Sequence, residues 1–185
     1  MRVTGGEFCS RVLKVPSTGE IRPTQDRVRE SLFATLAPEL GGSAFLDLFA
    51  GSGSVGIEAV SRGAASVTFV ESSAKHISIL EENLGNLKIT APVARVVRSD
   101  VLSFVSSYSG EGFDIVFADP PYALWREDGC ASFLKSLSSA AVIRTGGLFV
   151  AEVDFTSQVP KSEQWDLLRD KMYGKTRVLI WRRIS

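Results

Sequence analysis

The sequence is short of the residues that bind metals or staple small folds: its 185 residues include two cysteines and one histidine. Cys9 and Cys130 stand far apart, which excludes a metal-binding cysteine cluster and a disulfide framework and suits a reducing compartment. His76 falls inside an amphipathic stretch and reads as a helix-surface residue. No apolar run approaches the ~20 residues of a membrane span, and Met1–Pro16 lacks the apolar core of a signal peptide. Net charge is lacking too, since 21 Lys and Arg balance 21 Asp and Glu. With 44% apolar residues, the expectation is a globular cytoplasmic monomer with no metal and no membrane attachment.

The balance conceals an uneven distribution. Residues 1–38 hold 6 Lys/Arg against 4 Asp/Glu, residues 39–170 hold 10 against 17, and residues 171–185 hold 5 against 0. Such asymmetry suits a central domain that holds a cationic ligand while the ends meet a polyanion such as nucleic acid; solubilising terminal charges are the plainer alternative.

From residue 44 a short apolar run, a loop rich in Gly, Ser or Asp, and a helix-length amphipathic stretch recur. Ala44–Leu48, Ser66–Glu71, Val93–Val97, Phe113–Ala118 and Leu148–Val153 read as strands covered on both faces. Helices are expected over Val55–Arg62, Ala74–Leu87, Val101–Tyr108 and about Asp128–Ser138, with Ile77, Leu80, Leu84 and Leu87 spaced along one face. The pattern predicts a doubly wound α/β fold, mostly parallel, with seven strands. Gln164–Tyr173 and Thr176–Arg183 form its antiparallel C-terminal hairpin, turning at Gly174-Lys175. Ahead of this core, Arg2–Val15 is expected to form a small hairpin and Thr24–Leu36 a helix capped by Thr24 and ended by Pro38. Residues 1–38 thus read as an extension packed on a domain of residues 39–185.

Between the first strand and first helix, Gly51, Gly53 and Gly56 satisfy a G-x-G-x-x-G spacing, with Glu71 ending the second strand. That pattern admits a nicotinamide dinucleotide. Asp47 shifts the reading, because a carboxylate beside the loop repels a pyrophosphate but pairs with the ammonium of an amino acid, as carried by S-adenosylmethionine. A helix cap is the simpler role for Asp47. Glu71 can accept from both ribose hydroxyls in either case. Asp100 could take an adenine amino group, with Val101 against the ring, or could cap the helix it precedes.

Asp119-Pro120-Pro121-Tyr122 follows the fourth strand directly, where such a sheet binds ligands. Two prolines fix the backbone and remove two N–H donors, leaving rigid carbonyls between an acid and an aromatic face. An aromatic amine is a poor nucleophile because its lone pair is delocalised into the ring. Asp119 and the Pro120 carbonyl could hold its two N–H groups while Tyr122 stacks on the base, a contact worth roughly 1–3 kcal/mol. The alternative is a stiff turn.

Together with Arg22-Pro23-Thr24, Asp26–Glu30, Leu46–Gly53 and Tyr173–Arg177, these motifs resemble the bacterial guanine-N2 methyltransferases that modify guanine 966 of 16S ribosomal RNA. The resemblance runs nearly the full length. It implies a Rossmann-like class I methyltransferase core with an added N-terminal hairpin and S-adenosylmethionine as cofactor, with Asp47, Phe49, Ala50, Gly51, Ser52 and Gly53 on its methionine side, Glu71 and Ser72 at the ribose, and Asp100 and Val101 at the adenine. Asp119, Pro120, Pro121 and Tyr122 correspond to the catalytic motif. It further implies 16S ribosomal RNA as partner, within an assembling small subunit, with Arg2, Arg11, Lys14, Arg22, Arg27, Lys175 and Arg177 as candidate RNA contacts. The arm departs from the family pattern: Gly6-Glu7-Phe8-Cys9-Ser10-Arg11 has one basic residue and one glycine fewer. Three other functions compete: a DNA adenine or cytosine amino-methyltransferase, for which the chain leaves no room for a target-recognition domain; an NAD-dependent oxidoreductase; and a non-catalytic RNA-binding assembly factor.

Overall fold

The computed structural model describes residues 1–16, 26–121 and 129–185. They form two compact units, Met1–Val101 and Leu102–Ser185.

The first unit opens with an N-terminal arm, followed by α1 (Asp26–Leu40), β1 (Ala44–Leu48), α2 (Ser54–Ser61), β2 (Ser66–Glu71), α3 (Ala74–Leu87) and β3 (Ala94–Arg98). Its strands are parallel in the order β3-β2-β1, with Asp47 opposite Phe69 and Glu71 opposite Arg98. This register sets the loops that follow the three strands along one edge. Phe45, Leu46, Leu48, Val67, Phe69 and Val70 are all buried, as expected for strands covered on both faces.

The arm is a narrower hairpin than its sequence suggests. A single antiparallel bridge joins Arg2 and Val12, supported by Val3 N–H to the Arg11 carbonyl at 3.0 Å and Ser10 N–H to the Val3 carbonyl at 2.9 Å. Helix α1 continues through Pro38 to Leu40 instead of stopping there. The proline forfeits its own backbone bond in the final turn, but Leu36 and Leu40 on either side of it are buried, 0% and 1% exposed, and their packing retains that turn. The cap expected at Thr24 lies outside the described residues.

The second unit begins in α4 (Val101–Ser107) and contains β4 (Phe113–Ala118), α5 (Gly129–Ser139), β5 (Ile143–Asp154), β6 (Trp165–Tyr173) and β7 (Thr176–Arg183). Strand β4 runs parallel to β5, whereas β7 is antiparallel to both β5 and β6, giving the order β4-β5-β7-β6. Strand β5 starts five residues before its expected first residue, Leu148. Phe113 pairs with Ile143 and Ile115 with Leu148, so the polar and glycine-rich segment Arg144–Gly147 is a bulge inside a strand and not the loop its composition implies. Phe149 stacks on Trp181 at 5.6 Å and meets the Trp165 ring edge-on at 6.2 Å. The Trp165 indole N–H donates to Ser138 Oγ at 2.8 Å, satisfying its one polar atom inside this aromatic core.

Candidate active site

The loop between β1 and α2 is strained and tied down. Phe49, Gly51 and Gly53 have φ of 60°, 55° and 79°, a left-handed sequence that costs little at glycine but ~1–2 kcal/mol at Phe49. Gly53 lies close to α3: a Cβ there would stand 2.1 Å from Leu80 Cδ1. Ala50, Gly51, Ser52 and Gly53 are buried and Phe49 is half-buried.

Three side chains hold the loop. Asp47 Oδ2 accepts the Gly56 N–H at 2.8 Å, within the first turn of α2. Asp47 therefore makes the capping contact that its sequence position allowed, and no other donor among the described residues reaches its carboxylate. Glu71 Oε2 accepts the Gly51 N–H at 2.9 Å, and its Oε1 accepts the Ser73 N–H at 2.8 Å. Asn83, on α3, donates to the Ser52 carbonyl at 3.0 Å.

Burial, opposed by the Gly56 N–H and assisted by the nearby Glu71 charge, pushes the Asp47 carboxyl up from its ordinary 3.8 to about 7. Desolvation is the dominant cause, for Asp47 is only 2% exposed. A cationic group brought against it would restore the ionised form.

His76 corrects the surface reading. Its side chain is 15% exposed, with Nδ1 3.6 Å from Glu71 Oε1, and its Nε2 is buried without a hydrogen-bond partner among the described residues. Ser72 is exposed in the loop after β2, and Asp100 is exposed immediately before α4, whose first residue, Val101, is buried. The first unit thus brings Asp47, the glycine loop and Glu71 into one cluster.

In the second unit, Asp119 is half-buried, Pro120 buried and Pro121 exposed, directly after β4. Tyr122 lies outside the described residues. Cys130 is buried, and burial pushes its thiol up to about 12, which removes it as a nucleophile.

The candidate RNA contacts divide by environment. Arg2, Arg11, Arg27 and Lys175 are exposed. Lys14 is also exposed but its ammonium pairs with Glu82. Arg177 is committed to the fold: its guanidinium donates to both Asp170 oxygens, at 2.6 and 2.5 Å, and to the Ser157 carbonyl at 2.9 Å. This contact holds the Asp170 carboxyl below its usual range and raises Arg177. Arg22 lies outside the described residues.

A buried polar network went unseen in the sequence. Glu58, 0% exposed, accepts from Thr4 N–H at 2.8 Å, Thr4 Oγ1 at 2.7 Å and Arg62 Nε at 2.7 Å. It also lies 3.5 Å from the fully buried Arg29, whose Nη2 donates to the Arg2 carbonyl at 2.5 Å and to Asp26 at 2.8 Å. The signal available was a lone charge in an otherwise apolar short helix, Val55–Val60, which burial permits only if it is paired. Asn83 gave a similar signal, as an amide between Leu80 and Leu84 on the inward stripe of α3.

Among the described residues, no group of three or more His, Cys, Asp or Glu is placed to hold a metal ion, and no helix is long and apolar enough to cross a membrane.

Parallel strands alternating with helices, and an acid-flanked glycine loop after the first strand, define a Rossmann-like α/β protein of the class I methyltransferase fold, with seven strands and an antiparallel C-terminal hairpin. The chain belongs to the family described as conserved hypothetical protein 95, whose model matches residues 1–182. It is 36% identical over 184 residues to ribosomal RNA small subunit methyltransferase D of Escherichia coli (strain K12), covering 99% of this chain and 90% of that one. It is also 36% identical over 187 residues to YlbH of Bacillus subtilis (strain 168), covering 99% of both. The solved structure of yhhF from Escherichia coli superposes with a TM-score of 0.85 at 37% identity, over 100% of this chain and 98% of the other.

Proposed function

We propose that this chain transfers a methyl group from S-adenosylmethionine to the exocyclic N2 amine of a guanine in small-subunit ribosomal RNA, guanine 966 of the 16S molecule by family resemblance. The observation that carries the reading is the pair of carboxylates, Asp47 and Glu71, converging on the glycine loop. The donor set fits the cofactor: a buried acid for an ammonium, a second acid for a ribose diol, and a glycine loop that admits close approach. A pyrophosphate beside the loop would meet the Asp47 carboxylate where an ammonium would pair with it, which disfavours a dinucleotide. Near-full-length similarity to a ribosomal RNA small subunit methyltransferase supports the substrate class.

Bound S-adenosylmethionine supplies an electrophilic methyl on its sulfonium. The remaining chemistry falls to the protein. The Asp119 carboxylate and the Pro120 carbonyl accept the two N–H bonds of the amine, freeing its lone pair to turn out of the ring plane. Tyr122 stacks on the base and keeps it out of its helix. Asp119 stabilises positive charge on the nitrogen as the methyl arrives, then takes up or passes on the released proton. Catalysis on this account is positioning and electrostatics. The partner on this reading is 16S ribosomal RNA within an assembling small subunit.

The test is incubation with isotopically labelled S-adenosylmethionine and small-subunit particles lacking the modification, followed by mass spectrometry of the nucleosides. Label should appear in N2-methylguanine; label in N6-methyladenine, or none, overturns the reading. Asp119→Ala and Tyr122→Ala should each lower the rate by at least about 10²-fold, the scale of losing an electrostatic or positioning contact, while RNA binding persists. An unchanged rate removes these residues from the chemistry.

A further inference from the structure

Asn83 is buried, 1% exposed, on the face of α3 turned toward the glycine loop. Its amide bonds both the arm and the glycine loop. Oδ1 accepts the Lys14 N–H at 2.8 Å, while Nδ2 donates to the Lys14 carbonyl at 3.0 Å and to the Ser52 carbonyl at 3.0 Å. Both N–H donors of the side chain are used, and rotating the amide by 180° would oppose an N–H to an N–H and an oxygen to two carbonyls. Its orientation is therefore fixed by its partners.

The arm needs such anchors. A hairpin with one antiparallel bridge cannot hold itself, and it rests on attachments to the core: Arg2 on Arg29, Thr4 on Glu58, the Gly5–Phe8 backbone on Ser61, and Lys14 on Glu82 and Asn83. Glu58 and Ser61 belong to α2. Asn83 combines the arm with a backbone carbonyl of the glycine loop itself, at Ser52.

We propose that Asn83 is a positioning residue that couples cofactor occupancy of the glycine loop to the ordering of the N-terminal arm. The inference rests on the cofactor reading above. A ligand that fixes Ser52 fixes the Asn83 amide, and the amide fixes the backbone of Lys14. By linkage the effect is reciprocal: the arm, ordered on RNA through cations such as Arg11, tightens the cofactor by the same factor.

The test uses the full chain and S-adenosylhomocysteine. Amide hydrogen exchange is followed at Val3, Ser10, Leu13 and Lys14 with and without saturating S-adenosylhomocysteine, and affinity is read by calorimetry. In the wild type, S-adenosylhomocysteine should slow exchange of these amides by at least about fivefold, the low end of couplings of this kind. In Asn83→Ala the arm should exchange faster throughout, and the ratio between bound and free states should fall to one, although the ligand still binds. A merely structural amide would lower protection in both states and leave that ratio intact. Should Asn83→Ala fail to fold, Asn83→Ser, which keeps a single hydroxyl, is held to the same collapse of the ratio. A wild-type arm indifferent to S-adenosylhomocysteine, or a variant that retains the full response, overturns the coupling. A wild-type chain that binds no S-adenosylhomocysteine instead overturns the cofactor assignment.

Discussion

Asp47 carries a conflict that pH can expose. The unfolded chain loses this proton near the ordinary 3.8, whereas the folded chain keeps it until about 7. Between those values the native state binds more protons than the unfolded one, so stability falls as pH rises from about 4 to 7 and levels off above. At about 1.4 kcal/mol per unit, the cost is on the order of 4 kcal/mol at neutral pH and beyond. Asp47→Asn keeps an oxygen for the Gly56 N–H and removes the charge. Urea unfolding at pH 5, 6, 7 and 8 should show the variant gaining on the wild type across that series, by a few kcal/mol at pH 8. Its affinity for S-adenosylhomocysteine should meanwhile fall at least about tenfold, the loss of one charge-assisted contact worth ~1.5–3 kcal/mol. A variant that tracks the wild type at every pH, or binds equally well, refutes the role given to this carboxylate.

At the level of elements, much was legible because local chemistry and packing agree. Strands β1, β2, β4 and β7 and helix α3 have the bounds read from the sequence; α3 begins where Ser73 accepts the His76 N–H at 3.4 Å. The misses arise where a partner distant in sequence overrides local preference. Pro38 would stop an isolated helix, but buried Leu40 holds the last turn. Arg144–Gly147 would be a loop on composition, yet β4 draws its flanks into register. That Asp47 and Glu71 lie near one loop was legible because both stand at the ends of neighbouring parallel strands, β1 and β2, on the edge where that loop turns. Asn83 and Glu58 were not, since their partners, Lys14 and Thr4, lie 69 and 54 residues away.

Two substitutions separate these effects. Gly56→Ala would raise helix propensity by ~1 kcal/mol, but its Cβ would stand 2.2 Å from Phe69 Cε1 and 2.9 Å from Val67 Cγ1. Both neighbours are buried, and overpacking of ~1–3 kcal/mol wins, so the variant should melt lower than the wild type. A higher melting temperature would show that the β2 side chains yield freely. Glu58→Ala should cost about 3–5 kcal/mol in urea unfolding, because it leaves buried Arg29 without its carboxylate neighbour on α2. A loss below about 1 kcal/mol would mean that the network contributes nothing beyond a surface pair.

Across the whole chain, the basic ends and the acidic middle divide the work of binding only if the cations at the ends are available. Burial and pairing say which are. Arg29 is enclosed, Lys14 is paired with Glu82, and Arg177 is clamped by Asp170 and Ser157, whereas Arg2, Arg11, Arg27 and Lys175 are exposed. A phosphate contact made by an exposed cation releases counterions, and its removal from a single strand should reduce the salt slope of binding by about 0.7. Arg11→Ala should therefore weaken small-subunit ribosomal RNA binding and flatten the plot of log affinity against log salt between 50 and 200 mM, as read by fluorescence anisotropy. The folded stability of that variant should stay within about 0.5 kcal/mol of the wild type. Arg177→Ala should behave in the opposite way: loss of its bidentate pair costs about 1 kcal/mol of stability, while the salt slope holds. If Arg177→Ala flattens the slope and Arg11→Ala does not, the pairing seen in the fold is released on RNA, and the division between structural and binding cations drawn from exposure is wrong.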